Sequence, residues 1–202
     1  YTGFTYPWPH MTLVEGADII GGGMEFPMLT LMGTYQGRSP RALYSTASHE
    51  IGHMWIPMIV GVNEKRYAWL DEGSTSFLEN QSRPEYWPGD DADGQEREGY
   101  LSVARAEAEQ PLMRHGDYYE PGPGYVIASY RKPATLLVTL RGLLGTETFD
   151  LAYRAFIAEW AFRHPTPWDF FATFERFAGR DLDWFWTSFY YQTWVLDQAV
   201  GA

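Results

Sequence analysis

The sequence predicts an α+β chain that is mostly helical, with a small sheet confined to its amino-terminal end. From residue 40 onward, capped and helically periodic segments alternate with turns rich in Gly and Pro. Before residue 34 there are two short β-like runs flanked by Gly and Pro. Of the 202 residues 45% are hydrophobic and 17% aromatic, enough for one buried core. No internal repeat or low-complexity tract divides the chain. One domain is therefore expected over 1–202, a strand region at 1–33 followed by a helical region at 34–202.

Residues 10–15 and 26–32 read as strands, and Pro7, Pro9 and Pro27 confine them to sheet edges or strand starts. An isolated pair of strands is marginal in water, so these should pack on the helices or pair with further chain. Between them Gly21, Gly22 and Gly23 precede Met24, Glu25 and Phe26. The glycines read as a turn or as backbone that approaches a ligand closely, with Glu25 supplying negative charge.

Ser39 and Pro40 open a helix over 40–60 as N-cap and first helical residue. Leu43, Ala47, Ile51 and Met54 recur at helical spacing, and Pro57 ends or kinks the element. Residues 61–68 read as loop, and a helix runs from 69 to about 81 with Phe77 and Leu78 inward. Residues 82–94 carry Pro84, Pro88, Gly89, Gly94 and three aspartates, which predict an exposed loop. Those aspartates lack regular calcium-ligand spacing, so the loop reads as solvated.

A polar helix is expected over 95–109, then a turn-rich stretch through Gly124. Four helices should close the chain: 132–144 ending at Gly145, 147–162 capped by Thr146, 167–178 with Thr166 as cap and Pro167 first, and 182–196 capped by Asp181. Phe170, Phe174 and Phe177 form a stripe. Trp184, Phe185, Trp186, Phe189, Tyr190 and Trp194 surround the last helix, which implies burial on more than one side.

Chemistry concentrates between Ser48 and Glu72. His49 and His53 are four residues apart, so one helix face presents both imidazoles to a common point. That arrangement suits one Zn2+ ion per chain, which in a catalytic site takes three protein ligands and leaves a position for water. Glu72, on the next helix after 18 intervening residues, is the candidate third ligand. Glu50 directly follows His49, which places its carboxylate beside that water as the natural general base.

A formal charge of −11 and a pI near 4.8 argue against nucleic-acid binding, which rewards a basic face. An acidic cleft instead attracts cationic groups such as the amino terminus of a peptide. There is no cysteine, hence neither a disulfide framework nor a thiolate metal site. No apolar run reaches a membrane span and no leader is evident, so a soluble chain is expected, its compartment open between cytoplasm and a secreted or periplasmic location. A start at Tyr1 suggests a mature or excised piece.

Taken together, four blocks resemble the gluzincin aminopeptidases of family M1, the group that contains aminopeptidase N and leukotriene A4 hydrolase. Gly22-Gly23-Met24-Glu25 is similar to the Gly-x-Met-Glu-Asn exopeptidase motif, and His49-Glu50-Ile51-Gly52-His53 to the zinc motif. Residues 63–73 resemble the third-ligand segment, and Tyr130-Arg131-Lys132-Pro133 the catalytic-tyrosine block. The resemblance implies a thermolysin-like zincin catalytic domain whose sheet is cut short and whose relatives carry an additional amino-terminal β domain. It implies zinc held by His49, His53 and Glu72, and Glu50 as base. Tyr130, with Tyr125 as fallback, would be the oxyanion donor, and Glu25, with the backbone of Gly22, Gly23 and Met24, would bind peptides bearing a free amino terminus. The aromatic last helix would then be a docking place for a domain outside this chain. Phe26 stands where the family has asparagine, which leaves a zinc endopeptidase of altered end-specificity open beside the aminopeptidase. A catalytically silent binding scaffold is the third reading.

Overall fold

The computed structural model describes residues 1–194. Its sheet has three short strands, β1 (Thr12–Glu15), β2 (Gly23–Met24) and β3 (Leu29–Met32), in the order β1-β3-β2. β1 runs parallel to β3, with Thr12 opposite Leu29 and Glu15 opposite Met32. β2 is antiparallel, with Gly23 opposite Met32. Both strands read from the sequence are thus shorter than expected, and the glycine stretch supplies a third. A run of glycines carries no side-chain alternation, so only the ladder with β3 reveals it as a strand. β3 buries Thr30 and Met32 and exposes Leu29, the alternation of a half-covered sheet.

Helix α1 (Pro40–Gly52) begins as expected, with the Ser39 hydroxyl accepting the Ala42 amide at 3.2 Å. It stops at Gly52, short of residue 60. Beyond it lies Met54–Ile59, a stretch with i→i+5 bonds in which Ile56 is extended at φ −138° and the Ile56–Pro57 bond is cis. The face of α1 turned inward is not the apolar repeat. Leu43, Ala47 and Ile51 are only half-buried, whereas Glu50 and Gly52 are buried.

The second helical unit starts with a π-type turn, Trp69–Gly73, and continues as α2 (Ser74–Ser82). Phe77 is buried and Leu78 half-buried. The 82–94 stretch departs from the solvated loop predicted for it. Arg83 is buried and donates to both Asp90 oxygens at 2.9 and 3.1 Å, and Arg41 reaches the same carboxylate. Asp91 caps α3 (Ala92–Arg105), which begins and ends earlier than its polar pattern suggested.

Residues 124–144 form one continuous helical run: α4 (Gly124–Val126), a π-type turn (Ile127–Arg131) and α5 (Lys132–Leu144). The helix predicted from 132 therefore extends eight residues further towards the amino terminus, up to the turn-rich stretch that ends at Gly124. Within the run Lys132 is fully buried, ion-paired with Glu109 and set 5.7 Å from the Tyr100 ring. Burial pulls the Lys132 ammonium below its usual range, with Glu109 opposing.

Helix α6 (Thr146–Trp160) contains Thr146 instead of being capped by it. Helix α7 (Pro167–Ala178) has the predicted cap, and Thr166 and Asp169 form a reciprocal capping box. The last helix, α8 (Asp183–Trp186) with the turn Thr187–Tyr191, starts after Leu182, while Asp181 accepts the Asp183 amide at 2.6 Å. Of its predicted residues, 195 and 196 lie outside those described. Phe185, Trp186 and Tyr190 are buried, but Trp184 and Trp194 are 56% and 65% exposed, so this element is not covered all round. Phe177 is likewise exposed, unlike Phe170 and Phe174.

The core fills the space between α2, α5, α6, α7 and α8. Trp69 sits at its centre, stacked on Phe171 and 4.7 Å edge-on from Tyr190. Each fully buried aromatic contributes roughly 1.5–3 kcal/mol of apolar transfer. No helix among the described residues is long and apolar enough to cross a membrane.

Candidate active site

A cleft of about 360 Å³ opens between the sheet edge and the helices, and the sequence-predicted site residues His49, Glu50, His53, Glu72, Tyr130, Glu25, Gly22 and Gly23 all line it. Met24 does not; its carbonyl accepts from Thr30 Oγ1 at 2.8 Å, which holds β2 in place.

His49 and His53 extend from one face of α1 and the turn after it. Glu72 reaches them from the π-type turn before α2, where one extra residue per turn rotates the carboxylate towards α1. Its Oε2 lies 3.1 Å from His49 Nε2 and 3.2 Å from His53 Nε2, and the two Nε2 atoms are 3.2 Å apart. Three donors about 2.0–2.2 Å from a tetrahedral zinc ion lie roughly 3.3 Å from one another, so this triangle fits that ion.

The outer nitrogens are also held. His53 Nδ1 lies 2.8 Å from Asp71 Oδ1 and 3.0 Å from the Ile56 carbonyl, which the extended Ile56 backbone turns back towards the ring. His49 Nδ1 lies 3.5 Å from Glu79 Oε2. Carboxylates behind both imidazoles keep the Nε2 lone pairs aimed at the common point. Glu79 is in turn 3.6 Å from Arg83, which the buried Asp90 anchors. The 82–94 stretch therefore supports the site.

Charge follows the geometry. Burial pulls His49 down, yet Glu72 and Glu79 outweigh it and push the imidazole up to about 9. His53 is raised as well, burial being overcome by Asp71 and Glu72. Burial would raise Glu72, but its bonds with His49 and His53 hold it well below the usual carboxylate range. A cluster with these directions stabilises positive charge at its centre, as a cation site requires.

Glu50 is buried, and burial pushes its carboxyl up to about 7 against the pull of His49 and His53. It faces β2 so closely that a Cβ on Gly23 would fall 2.3 Å from Glu50 Cδ, so any side chain there would push the Glu50 carboxyl out of its place. Tyr130 donates to Glu72 Oε1 at 2.7 Å and stacks 5.8 Å from His49. Burial and the Glu72 charge raise its phenol, which stays protonated and able to donate. Tyr125, the fallback, is outside the residues that line the cleft.

Glu25 is 7% exposed, on the His53 side of the cleft, with a carboxylate oxygen within 4.8 Å of ligand atoms of His53 and Asp71. Phe26 is 49% exposed and brings nothing to the cleft. Sequence reasoning left Asp71, Glu79, Glu96 and Arg131 without a role. Asp71 adjoins Glu72 and Glu79 lies seven residues, two helical turns, beyond it, so a same-face test on α2 would have found Glu79.

A peptidase-type metal centre on a helical domain with a short sheet is the class that this fold and cleft define. The peptidase family M1 domain matches residues 1–189, and the chain belongs to that family. Among its relatives, aminopeptidase M1-C of Oryza sativa subsp. japonica is 24% identical over 200 residues, which cover 90% of this chain and 23% of that protein. Leucine aminopeptidase 2 of Lodderomyces elongisporus is 24% identical over 79% of this chain and 29% of its own length. Native yeast LTA4 hydrolase superposes with a TM-score of 0.75 at 19% identity, over 98% of this chain and 35% of that one. The M1 zinc metallopeptidase from Deinococcus radiodurans gives 0.66 at 15% identity, over 94% and 41%. The expected fold class is thus met, and the chain spans about a quarter of the length of the curated relatives cited.

Proposed function

We propose that this chain is the catalytic part of a zinc aminopeptidase, removing the first residue from peptides that carry a free amino terminus. The observation that carries the reading is Glu25, a carboxylate buried beside the metal-ligand triangle at the end of β2. A buried acid there favours a charged amine and penalises an acylated one, which limits cleavage to the first peptide bond.

Zinc held by His49, His53 and Glu72 would supply a Lewis acid for the scissile carbonyl and acidify water towards a pKa of roughly 7. Glu50 accepts the proton of the attacking water and passes it to the departing amine. Tyr130 donates to the carbonyl oxygen as negative charge develops on it. The edge of β2 that is turned away from β3 pairs with the peptide backbone, and Glu25 sets the register.

One peptide, free or acetylated at its amino terminus, offered to the zinc-loaded chain and to its Glu50→Gln variant, tests the reading. Cleavage of the free form alone, reduced about 10²–10⁴-fold in the variant, is the expected result. Equal cleavage of both forms would remove Glu25 from its role and favour an endopeptidase.

A further inference from the structure

We propose that Arg131 is a specificity-determining residue that receives a substrate carboxylate one residue beyond the scissile bond. The inference rests on the amine-anchor reading of Glu25, because that reading gives the peptide its direction. Glu25 lies beside His53 and Asp71, whereas Glu79 stands behind His49 at 3.5 Å, and Glu96, which feels the charges of Glu79 and His49, lines the same cleft with Arg131 3.8 Å from it. A peptide whose amine is at Glu25 and whose first carbonyl is over the metal-ligand triangle therefore runs out towards Arg131. An extended peptide advances about 3.3–3.6 Å per residue, and the groups assigned to Arg131 are those of the second residue, the next along that direction after the scissile bond.

The guanidinium is held ready for such a group. It lies on α3 at Gly99, where any Cβ would come within 2.2 Å of Arg131 Nη1, so the absence of a side chain at Gly99 makes its seat. Its contacts are weak: the Gln95 carbonyl is at 3.5 Å and Glu96 at 3.8 Å, the latter beyond hydrogen-bonding distance. Most of its five N–H donors are uncommitted, and the side chain is 39% exposed. Among the described residues that line the cleft, Arg131 is the one Lys or Arg, against Glu25, Glu50, Glu72, Glu79 and Glu96. Apart from the two histidines of the metal-ligand triangle, Arg131 is thus the basic side chain of the cleft that a substrate anion can meet, and a planar fork is the donor geometry that a carboxylate matches.

Two sources offer that chemistry, the free carboxyl terminus of a dipeptide and the side chain of an acidic second residue. Calorimetric binding to zinc-loaded Glu50→Gln protein, whose turnover is slowed about 10²–10⁴-fold, separates them when the ligands are confirmed intact after titration. The ligands are Ala-Ala, its carboxy-terminal amide, its N-acetyl form, and the pair Ala-Asp-amide and Ala-Asn-amide. We expect a loss of about tenfold on amidation of Ala-Ala, or from Asp to Asn in the amide pair, according to the source. Arg131→Gln should erase that ratio. Gly99→Ala, which lifts the guanidinium from its seat without removing it, should shrink it, and Glu96→Gln should enlarge it. Equal affinity within both pairs, or no detectable binding of Ala-Ala, would overturn the assignment. A persisting acetylation penalty alongside equal affinities would leave the amine-anchor reading standing. Acetylation without effect would overturn that reading and the direction assigned to Arg131 with it.

Discussion

The cleft half and the aromatic half of this chain use helices in opposite ways. α1 is 13 residues long and its buried members are Glu50 and Gly52, whereas α7, of 12 residues, buries Pro167, Phe170, Phe171, Thr173 and Phe174. In the cleft half the groups removed from water are Glu25, Glu50, His53, Asp71, Thr75 and Arg83, each costly unless paired. In the aromatic half they are Phe149, Tyr153, Phe156, Phe170, Phe174 and Phe185, whose burial is favourable without partners of a particular charge. Stability is therefore concentrated away from the site, and substitutions in the two halves should separate folding from chemistry.

The largest expected loss of stability lies in the aromatic half. Phe170 is fully buried, 4.7 Å from Phe174 and 5.0 Å from Phe156, so Phe170→Ala should cost about 4 kcal/mol in denaturant unfolding. A loss under 1 kcal/mol would show that the aromatic cluster is not the core it looks to be.

Lys132 sits on the border between the halves. Lys132→Met leaves Glu109 with the Tyr100 hydroxyl but without its charged partner and should cost about 3 kcal/mol, while Lys132→Met with Glu109→Gln should recover at least half of that. If the double variant is no better than the single one, shape and not charge matters at this position.

Asp71→Asn tests the cleft half alone. It keeps the size of the side chain but weakens the hold on His53 Nδ1, so metal affinity measured against a competing chelator should fall about 10–100-fold. Because Asp71→Asn also takes a charge partner from the buried His53, the metal-free chain should lose stability too, and the affinity is compared below its unfolding midpoint.

The smallest effect belongs to Trp184. At 56% exposure, Trp184→Ala should alter stability by less than about 0.5 kcal/mol. A larger destabilisation of the chain would restore the all-round burial that the sequence suggested for the last helix.

Local rules made much of this molecule legible in advance. Ser39 and Thr166 cap helices because their hydroxyls meet amides two or three residues on, a matter of a single turn. His49 and His53 share a face because the helical period places them there, and Gly145 and Gly179 end α5 and α7 with positive φ. By itself, then, the sequence determined the mostly helical class, the helices of the closing half to within a few residues, the acidic character, and the residue types able to hold a divalent cation.

What it left open depends on partners far along the chain. Gly23–Met24 becomes a strand only through β3, and Glu50 closes on Gly23 only because the sheet lies against α1. The aspartates after Ser82 looked solvated until Arg83 and Arg41 were brought to Asp90, since pairing across space has no local period. Asp71 and Glu79 gain their place behind the two histidines from the packing of α2 on α1, and Arg131 from a gap on α3 that a glycine thirty-two residues earlier leaves open. Composition and periodicity report what a residue can do and which way it faces on its own element. The second ring of charge, and the direction in which a peptide would cross the cleft, come from long-range contacts that only the folded chain creates.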